Sequence, residues 1–397
     1  MNTQIRDVVI VSAARTPVGS FLGSLSGLSA PQLGAAAISE AVKRAGLSPA
    51  DVNEVIMGHV LSAGVGQAPA RQAAIFAGLP TSVECLTINK VCGSGLKAVM
   101  LAAQAIALGD ADIIVAGGME SMSQAPYLLD RARMGYRLGH GQILDSMIKD
   151  GLWDVYNDFH MGNAGELCAR NLKISREEQD EYAAESYRRA LRAQAEGLFS
   201  EEIVPVDVPQ AKGAPVQVVE DEEPKRVNFE KMKTLKPAFD REGTITPANA
   251  SKINDGAAAV VVMAREEAEH RKITPLGRIV AAVAAARAPE EFPVAPVDAI
   301  QKVLRRANLT VDAIDLFEIN EAFAVVALAS IKQLGLDPAR VNVNGGAVAL
   351  GHPIGASGAR LLTTLLYEMK RRRARRGLVT LCIGGGEAVA MIVESIL

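Results

Sequence analysis

A cysteine stands in a glycine-rich turn where a predicted strand gives way to a helix. Cys92 lies in the segment 89–95, Asn-Lys-Val-Cys-Gly-Ser-Gly, and the helix is predicted to begin near Ser94. Backbone N–H groups and the positive end of a helix dipole stabilise a thiolate, so we expect this position to lower the pKa of the thiol and favour nucleophilic chemistry. Taken alone, the residue is equally compatible with an inert buried cysteine, because free cysteine is among the most buried residue types.

A second glycine-rich turn carries a histidine that could serve as the base. The stretch 344–358 is rich in glycine, which lets the backbone turn sharply and approach a ligand, and His352 stands at the entrance to the helix that follows. A single histidine is more often structural than catalytic. Its pairing with Cys92 favours a catalytic role, since a thiol nucleophile needs an adjacent base.

Two further polar groups stand where predicted strands end. Cys382 follows the strand 378–381 and precedes the glycines at 384–386, and Asn320 follows the strand-like segment 314–319. In an open parallel sheet ligands bind at strand ends, and the glycines leave N–H groups free to contact an oxyanion. A small apolar core residue is the alternative for Cys382, and a helix cap is the alternative for Asn320.

The elements that must position these residues occur twice along the chain. Three pairs of segments match in the same order: 45–52 with 307–314, 94–97 with 357–360, and 113–120 with 380–387. Each half alternates short apolar strands with helices, which predicts a duplicated α/β domain with mainly parallel sheets. The turns that bear Cys92 and His352 are counterparts in this scheme, so they would face one another.

Between the two halves the composition shifts toward charge and irregular structure. We assign residues 1–120 with 251–272 to the N-terminal half, 121–250 to an inserted loop domain and 273–397 to the C-terminal half. The insertion contains one clear helix, which a capping box at Ser175 is predicted to open. An insertion of this kind commonly carries substrate-binding or oligomer contacts.

Composition and charge exclude several classes of protein. The chain has 397 residues, 49% of them hydrophobic, so it can bury a large core in two or three domains. A net charge of −3 argues against a surface that attracts nucleic acid or anionic membrane as a whole, and the basic run 370–376 is typical of a solvated helix end. The four cysteines form no C-x-x-C pair, so neither a disulfide framework nor a structural zinc site is expected.

The two ends of the chain carry no targeting pattern that we recognise. The start lacks a basic segment followed by an apolar one, the end reads Ser-Ile-Leu rather than Ser-Lys-Leu, and no uninterrupted apolar stretch approaches the length of a membrane span. We therefore expect a cytoplasmic protein with neither a membrane nor a nucleic acid as its partner.

In combination, the four candidate motifs resemble the active-site motifs of the thiolase family, in the same order. They are Cys92-Gly93-Ser94-Gly95, Asn320-Glu321-Ala322-Phe323, Gly351-His352-Pro353 and Cys382-x-Gly384-Gly385-Gly386. The segments 115–123 and 254–258 are also similar to thiolase segments, and the resemblance runs from residue 15 to the final strand. It implies an α/β fold, a duplicated layered α-β-α-β-α core with an inserted loop domain.

The resemblance implies a role for each candidate residue in making or breaking a 3-oxoacyl-CoA. Cys92 would be acylated, His352 would take its proton, and Cys382 would act as acid/base at the α-carbon of a second acetyl-CoA. His352 and a water held by Asn320 would stabilise one oxyanion, and the backbone N–H groups of Cys92 and Gly384 the other. The implied ligands are acetyl-CoA, acetoacetyl-CoA and coenzyme A. Coenzyme A would be a substrate, with no metal or separate cofactor, and the assembly would be a homotetramer.

The segment His160-Met161-Gly162 is similar to that of short-chain, biosynthetic thiolases. The residues implied to contact substrate or coenzyme A are Leu152, His160, Met161, Ser251, Ala322 and Phe323, with Lys225 or Arg226 for the 3′-phosphate. A thiolase of β-oxidation with a broader chain range and a non-catalytic scaffold are the alternatives. A 3-oxoacyl synthase is disfavoured, because it has no counterpart of Cys382.

Two departures from the family pattern affect the site. Asn163-Ala164-Gly165-Glu166 replaces the usual continuation after Gly162, which bears on the shape of the pocket. Glu387 stands where an uncharged residue is more usual. A carboxylate there would raise the pKa of Cys382 unless it is turned away.

Overall fold

The computed structural model describes residues 5–396. Residues 1–4 and Leu397 lie outside the described range, so the expectations about targeting signals at the two chain ends stay predictions. The strands are β1 Val8–Arg15, β2 Gly19–Ser20, β3 Glu54–Gly58, β4 Glu84–Ile88, β5 Ile113–Ser121, β6 Tyr127–Leu128, β7 Leu144–Asp145, β8 Trp153–Asp154, β9 Phe159–His160, β10 Val206–Val208, β11 Val216–Val218, β12 Asn254–Ala264, β13 Gly277–Ala286, β14 Leu316–Ile319, β15 Arg376–Ile383 and β16 Glu387–Glu394. The helices are α1 Ala30–Arg44, α2 Pro69–Phe76, α3 Ser94–Leu108, α4 Met161–Leu172, α5 Arg176–Ala195, α6 Phe229–Met232, α7 Arg265–Arg271, α8 Ala295–Ala307, α9 Ala324–Leu334, α10 Ala347–Leu350 and α11 Ser357–Arg372.

The two halves repeat one order of strands. In the N-terminal half the order is β1-β12-β5-β3-β4, and in the C-terminal half it is β13-β16-β15-β14. A parallel bridge between Phe317 and Val341 stands in the place of a fifth strand next to β14. The halves join where β1 pairs with β13, at Val9 and Ile10. The predicted duplication is confirmed, and the segments that lead to Cys92 and His352 occupy equivalent outer positions.

The prediction of mainly parallel sheets is confirmed for all strands but one in each half, and the exceptions, β12 and β16, make both sheets mixed. β12 runs antiparallel to β1 and β5, and β16 runs antiparallel to β13 and β15; the outer pairs are parallel. Buried apolar runs do not report strand direction. The direction is set by the connection between β15 and β16, which consists of Gly384, Gly385 and Gly386. So short a turn can join only antiparallel strands, and the last two glycines adopt φ values of 90° and 86°.

The helices form three layers around the two sheets. α1 and α2 cover the outer face of the N-terminal sheet, α8 and α9 cover that of the C-terminal sheet, and α3 and α11 pack together between them. Glycines let the starts of the two central helices touch: a Cβ at Gly95 would lie 2.9 Å from the Ala359 nitrogen, and one at Gly358 would lie 2.4 Å from the Leu96 nitrogen. This close approach brings the turns that precede the two helices side by side.

The segment Val91–Leu108, which includes α3, has the length and composition of a membrane span. Its mean hydropathy is 1.6 and half of it is buried within the protein. The segment is interrupted by Lys97 and Gln104, and α3 packs between the sheets. A central helix of a layered core passes the same test, so the feature is weak evidence for a membrane.

The inserted segment forms small two-stranded sheets and three α-helices, and the chain then re-enters the N-terminal sheet as β12. The predicted capping box is confirmed at the start of α5, where the Ser175 hydroxyl accepts from the Glu178 N–H and the Glu178 carboxylate accepts from the Ser175 N–H. α4 and α5 pack against α9, so the insertion lies over the C-terminal half.

The basic run at the end of α11 is held in ion pairs with nearby acids. Arg371 and Arg372 pair with Glu368, and Lys370 pairs with Glu201. These contacts favour the interpretation of the run as a solvated helix end, where cations also oppose the negative pole of the dipole.

Candidate active site

Cys92 lies in the turn between β4 and α3, and the backbone before it is strained. Val91 has a φ of 45°, a conformation that costs a β-branched residue about 1–3 kcal/mol. Two side chains hold the turn: Asn89 Oδ1 accepts from the Val91 N–H at 2.9 Å, and the Ser94 hydroxyl donates to the Val91 carbonyl at 2.7 Å. The turn leaves the Cys92 side chain at the wall of a cavity.

The expectation that the position lowers the pKa of Cys92 is wrong. Burial of the thiol raises its pKa to about 11, and the charge of Glu120 acts in the same direction. The N–H groups of Gly384 and of Cys92 itself lower the pKa, as expected, but they do not offset the loss of hydration. Cys92 therefore rests as a thiol and needs a base to become a nucleophile.

The hydrogen bonds of His352 fix which ring nitrogen can act as that base. Its backbone N–H donates to Asn254 Oδ1 at 2.9 Å, and Nδ1 lies 2.6 Å from the Ser357 hydroxyl. That hydroxyl donates its own proton to the Pro353 carbonyl at 2.9 Å, so Nδ1 must carry the proton and donate to Ser357. Nε2 keeps its lone pair, and Asn320 Nδ2 lies 3.3 Å from it.

The pH dependence of the base follows from its burial. Burial, with the nearby Arg360 charge, lowers the pKa of His352 to about 3, so the basic form is present above that value and is lost only as the pH falls through it. We expect the single-turnover rate of Cys92 acylation to show no histidine inflection between about pH 5 and pH 7. Stopped-flow measurements across this range check the prediction. A fall centred near the ordinary histidine pKa, roughly 6.5, would contradict it.

Ser357 is expected to set the tautomer of His352. Replacing Ser357 by alanine removes the acceptor of the Nδ1 proton, so the proton can move to Nε2 and block the base. We expect acylation to slow about tenfold or more with little change in KM. The matched control is Thr363→Val on the same helix, whose hydroxyl donates to the Ala359 carbonyl and which should keep wild-type rates. Equal effects of the two substitutions would contradict the assignment.

Cys382 and Asn320 end neighbouring parallel strands. Burial and the nearby Cys92 sulfur raise the pKa of Cys382 well above its usual value, so it too rests as a thiol. It packs in an apolar cluster with Met161 and Phe323, so it is a core residue as well as a neighbour of Cys92. Asn320 makes no helix cap, since α9 begins four residues later. Its Oδ1 atom is buried and has no hydrogen-bond partner within residues 5–396.

A cavity of about 290 Å³ gathers most of the predicted site residues. Those that line it are Cys92, Leu152, His160, Met161, Ser251, Ala322, Phe323, His352 and Gly384. Asn320 and Cys382 do not line it but lie behind the lining, Asn320 next to the imidazole and Cys382 near the Cys92 sulfur. The cavity walls are almost entirely apolar, as in a site that excludes water from its reacting groups.

Lys225 and Arg226 do not line this cavity. Both are exposed on a short turn, and Lys225 pairs with Glu220 at 2.6 Å. The prediction that one of them binds the 3′-phosphate of coenzyme A stays a prediction, because that phosphate is far from the reacting thioester and need not enter the cavity. The acidic run just before them supplies the partner of Lys225, whereas Arg226 remains exposed on the same turn.

Sequence reasoning missed several residues of the cavity wall. They are Met122, Gly151, Phe239, Ala250, Lys252, Ile253, Phe292 and Ile354. Lys252 follows Ser251, and its ammonium donates to the carbonyls of Pro247 and Ala250 at 2.6 and 2.9 Å. Burial lowers the pKa of Lys252 to about 8. The position of Lys252 directly beside Ser251, a predicted contact of the substrate, was the one signal that could have placed it in the cavity wall.

Comparisons with known proteins agree with this geometry. Family models of the thiolase N-terminal domain and the thiolase C-terminal domain match residues 8–266 and 273–395. The chain belongs to the thiolase family. It is 57% identical to an acetyl-CoA acetyltransferase of Cupriavidus necator and 53% identical to one of Pseudomonas aeruginosa, in each case over 98% of this chain and 99% of the relative. A crystal structure of a thiolase from Ascaris suum in complex with coenzyme A superposes with a TM-score of 0.94 at 45% identity, covering 98% of this chain and 100% of that one.

In this thiolase, His160 is held as a neutral donor. It caps α4, and its Nδ1 accepts from the Gly162 N–H at 3.1 Å, which places the ring proton on Nε2. Burial lowers its pKa, and the ring stacks on Phe239 with centroids 4.7 Å apart. The unusual Asn163 donates to the Phe239 carbonyl at 3.1 Å. This departure from the family pattern therefore supports the cavity wall without entering it.

The second departure, Glu387, is turned away from Cys382. Cys382 pairs with Ala388 and Ile383 pairs with Glu387, and side chains of successive strand residues point to opposite faces. Glu387 thus shares its face with Ile383, and it forms an ion pair with Lys90. The carboxylate was expected to raise the pKa of Cys382 unless it is turned away, and here it is turned away.

Proposed function

We propose that this thiolase catalyses the reversible condensation of two acetyl-CoA molecules to acetoacetyl-CoA and coenzyme A through an acyl group on Cys92. The observation that carries the proposal is the placement of the Cys92 thiol, the His352 imidazole and the Gly384 N–H on one apolar cavity, with Cys382 close behind. The names of the acetyl-CoA acetyltransferase relatives, which match almost the whole chain, support the same reaction.

In the direction of thiolysis, His352 Nε2 takes the proton of the Cys92 thiol as the sulfur attacks the 3-oxo carbon. The oxyanion that forms accepts hydrogen bonds from the N–H groups of Cys92 and Gly384, which already point at the sulfur. The carbon–carbon bond then breaks, and its electron pair enters the enolate of acetyl-CoA. The acetyl group stays on Cys92 as a thioester.

The enolate needs both a proton donor and stabilisation of its oxygen. Cys382 gives its proton to the α-carbon, and His352 with a water bound to Asn320 Oδ1 donates to the oxygen. Incoming coenzyme A gives its thiol proton to the Cys382 thiolate and takes the acetyl group, and His352 returns the first proton to Cys92. The raised pKa of Cys382 suits the reverse step, because a strongly basic thiolate is needed to remove a weakly acidic α-proton.

The size and walls of the cavity support short acyl groups. About 290 Å³ lies at the low end of small-molecule sites, and aromatic rings close it, Phe239 lying edge-on to Phe323. The substrate must therefore leave the nucleotide of coenzyme A outside. We expect kcat/KM for thiolysis of acetoacetyl-CoA to exceed that of a 3-oxoacyl-CoA with eight or more acyl carbons by about 100-fold. Steady-state assays compare the two; equal values would favour the broad-range alternative.

We also propose a cytoplasmic homotetramer that uses coenzyme A as a substrate and no separate cofactor.

The tetramer is argued from the surface of the insertion. Large apolar side chains there are exposed, among them Leu129, Met134, Leu138 and Ile143. These four side chains fall within one short stretch, 129–143, and exposed apolar side chains are often buried at an interface, so copies of the chain can pair through this stretch. Light scattering should give four times the mass of one chain, and Leu138→Asp should reduce it. A wild-type monomer would contradict this assembly.

A further inference from the structure

An ion pair joins the two turns that build the active site. The Lys90 ammonium contacts the Glu387 carboxylate across 297 residues of sequence. Lys90 belongs to the turn that carries Cys92, and Glu387 follows the glycine turn that carries Gly384. The two side chains are only 22% and 37% exposed, so solvent screens the pair partly rather than fully.

The relative position of these two turns decides whether the oxyanion donors converge. One donor N–H comes from Cys92 in the N-terminal half and the other from Gly384 in the C-terminal half. The turns are in close contact, since a Cβ at Gly93 would lie 2.4 Å from the Ile383 side chain. A small displacement of one turn would change the distance between the two donors, and donors of this kind act only when they are preorganised.

We propose that Lys90 and Glu387 are positioning residues that hold the Gly384 turn against the nucleophile turn and keep either charge from acting alone on the Cys92 thiol. This inference rests on the proposed thiolase reaction. An unpaired carboxylate at Glu387 would add negative charge near the turn that bears Cys92 and so disfavour its thiolate. The ion pair with Lys90 neutralises that charge while it holds the two turns together.

The charges around Cys92 determine what each half of the pair would do without its partner. Glu120 on β5 raises the pKa of Cys92. Cys382 and His352 face Cys92 from the C-terminal half. Lys90 precedes Cys92 by two residues, so their Cα atoms are less than about 7 Å apart. An unpaired charge at about 8–10 Å shifts a thiol pKa by a few tenths of a unit to about one unit. The sign depends on which residue remains.

The first test is alkylation of Cys92 by iodoacetamide without substrate, followed by peptide mass spectrometry. Glu387→Gln leaves an unpaired ammonium and should speed alkylation about twofold at pH 8, because a lower thiol pKa yields more thiolate although each thiolate is less nucleophilic. Lys90→Met leaves an unpaired carboxylate and should slow it by a similar factor. The double variant should return to the wild-type rate. Changes of the same sign in both single variants would overturn the charge role, since a merely structural pair predicts one direction.

The second test measures the rate at which acetyl-CoA acylates Cys92 in a single turnover. Both single variants should acylate about three- to tenfold more slowly with similar KM, and the exchanged pair, Lys90→Glu with Glu387→Lys, should recover most of the loss. Arg265→Met is the matched control, because its ion pair with Glu269 is exposed on α7, and no residue of α7 lines the cavity. An exchanged pair as slow as the single variants would overturn the positioning role. Failure of the wild type to be acylated would instead refute the proposed function and leave the alkylation test valid.

Discussion

Replacing Cys382 by serine is expected to leave acylation of Cys92 within about tenfold of the wild-type rate while slowing condensation by about 10³-fold. A serine hydroxyl is far less acidic than a thiol, so it can neither remove nor return the α-proton efficiently. Acylation needs Cys92, His352 and the two N–H donors, and none of these groups is altered. The two partial reactions are separated by quenching after acetyl-CoA is added and by following acetoacetyl-CoA formation.

Cys168→Ala is the control for that substitution. Cys168 lies in the same apolar cluster as Cys382, and burial likewise raises its pKa, to about 12, but it does not line the cavity. Its removal should leave both partial reactions close to wild type. If Cys382→Ser reduced acylation and condensation by the same factor, Cys382 would not be the acid/base of the second step.

Replacing Cys92 by alanine is expected to abolish both condensation and thiolysis, by on the order of 10⁴-fold or more. Without the sulfur no covalent acyl group can form, and the remaining donors can bind substrate but not hold an acetyl group between the two steps. Assays in both directions, with a discontinuous product assay for slow rates, give the magnitude.

Cys85→Ala supplies the matched control on the strand that leads to the same turn. Cys85 is half-buried on β4, where its thiol contacts Arg71 and the Val83 carbonyl and no cavity residue. We expect wild-type turnover from this variant. Residual activity of Cys92→Ala within about 100-fold of wild type would contradict a covalent mechanism on Cys92.

The sequence could predict the site residues because the reactive side chains stand in turns whose backbone also requires particular residues. Cys92 and His352 both stand in turns that need glycine for the close crossing of α3 and α11, so the motif reports the geometry as well as the reactive group. The duplication of the domain was also predictable, since three pairs of short segments repeat in the same order along the chain. Asn320 could be placed at a strand end, where a polar side chain reaches a ligand.

What the sequence could not predict depends on contacts between distant segments. The pKa of Cys92 rises because the whole cavity wall removes water from the thiol, and no local feature of its turn reports that loss. The direction of β16 follows from a three-residue turn rather than from its apolar pattern. Phe239 lines the cavity through contacts with Asn163, His160 and Phe323, all distant in sequence, and no motif surrounds it.

The pairing of Lys90 with Glu387 belongs to the same group of features. Either residue alone is an ordinary surface charge, and the two segments that carry them come from different halves of the chain. The sequence showed Glu387 as a departure from the family pattern but not its partner. Only the folded structure, in which the two halves pack together, shows that Lys90 neutralises the charge of Glu387.

The measurement that tests the account most directly is mass spectrometry of the protein after brief exposure to acetyl-CoA, with the modified peptide sequenced. We expect a single acetyl group on Cys92 in the wild type and in Cys382→Ser, no acetyl group in Cys92→Ala, and release of acetoacetyl-CoA from the wild type alone on further exposure. An acetyl group on another residue, or turnover without any acetylated Cys92, would contradict a mechanism in which both sulfurs and the imidazole act on one thioester.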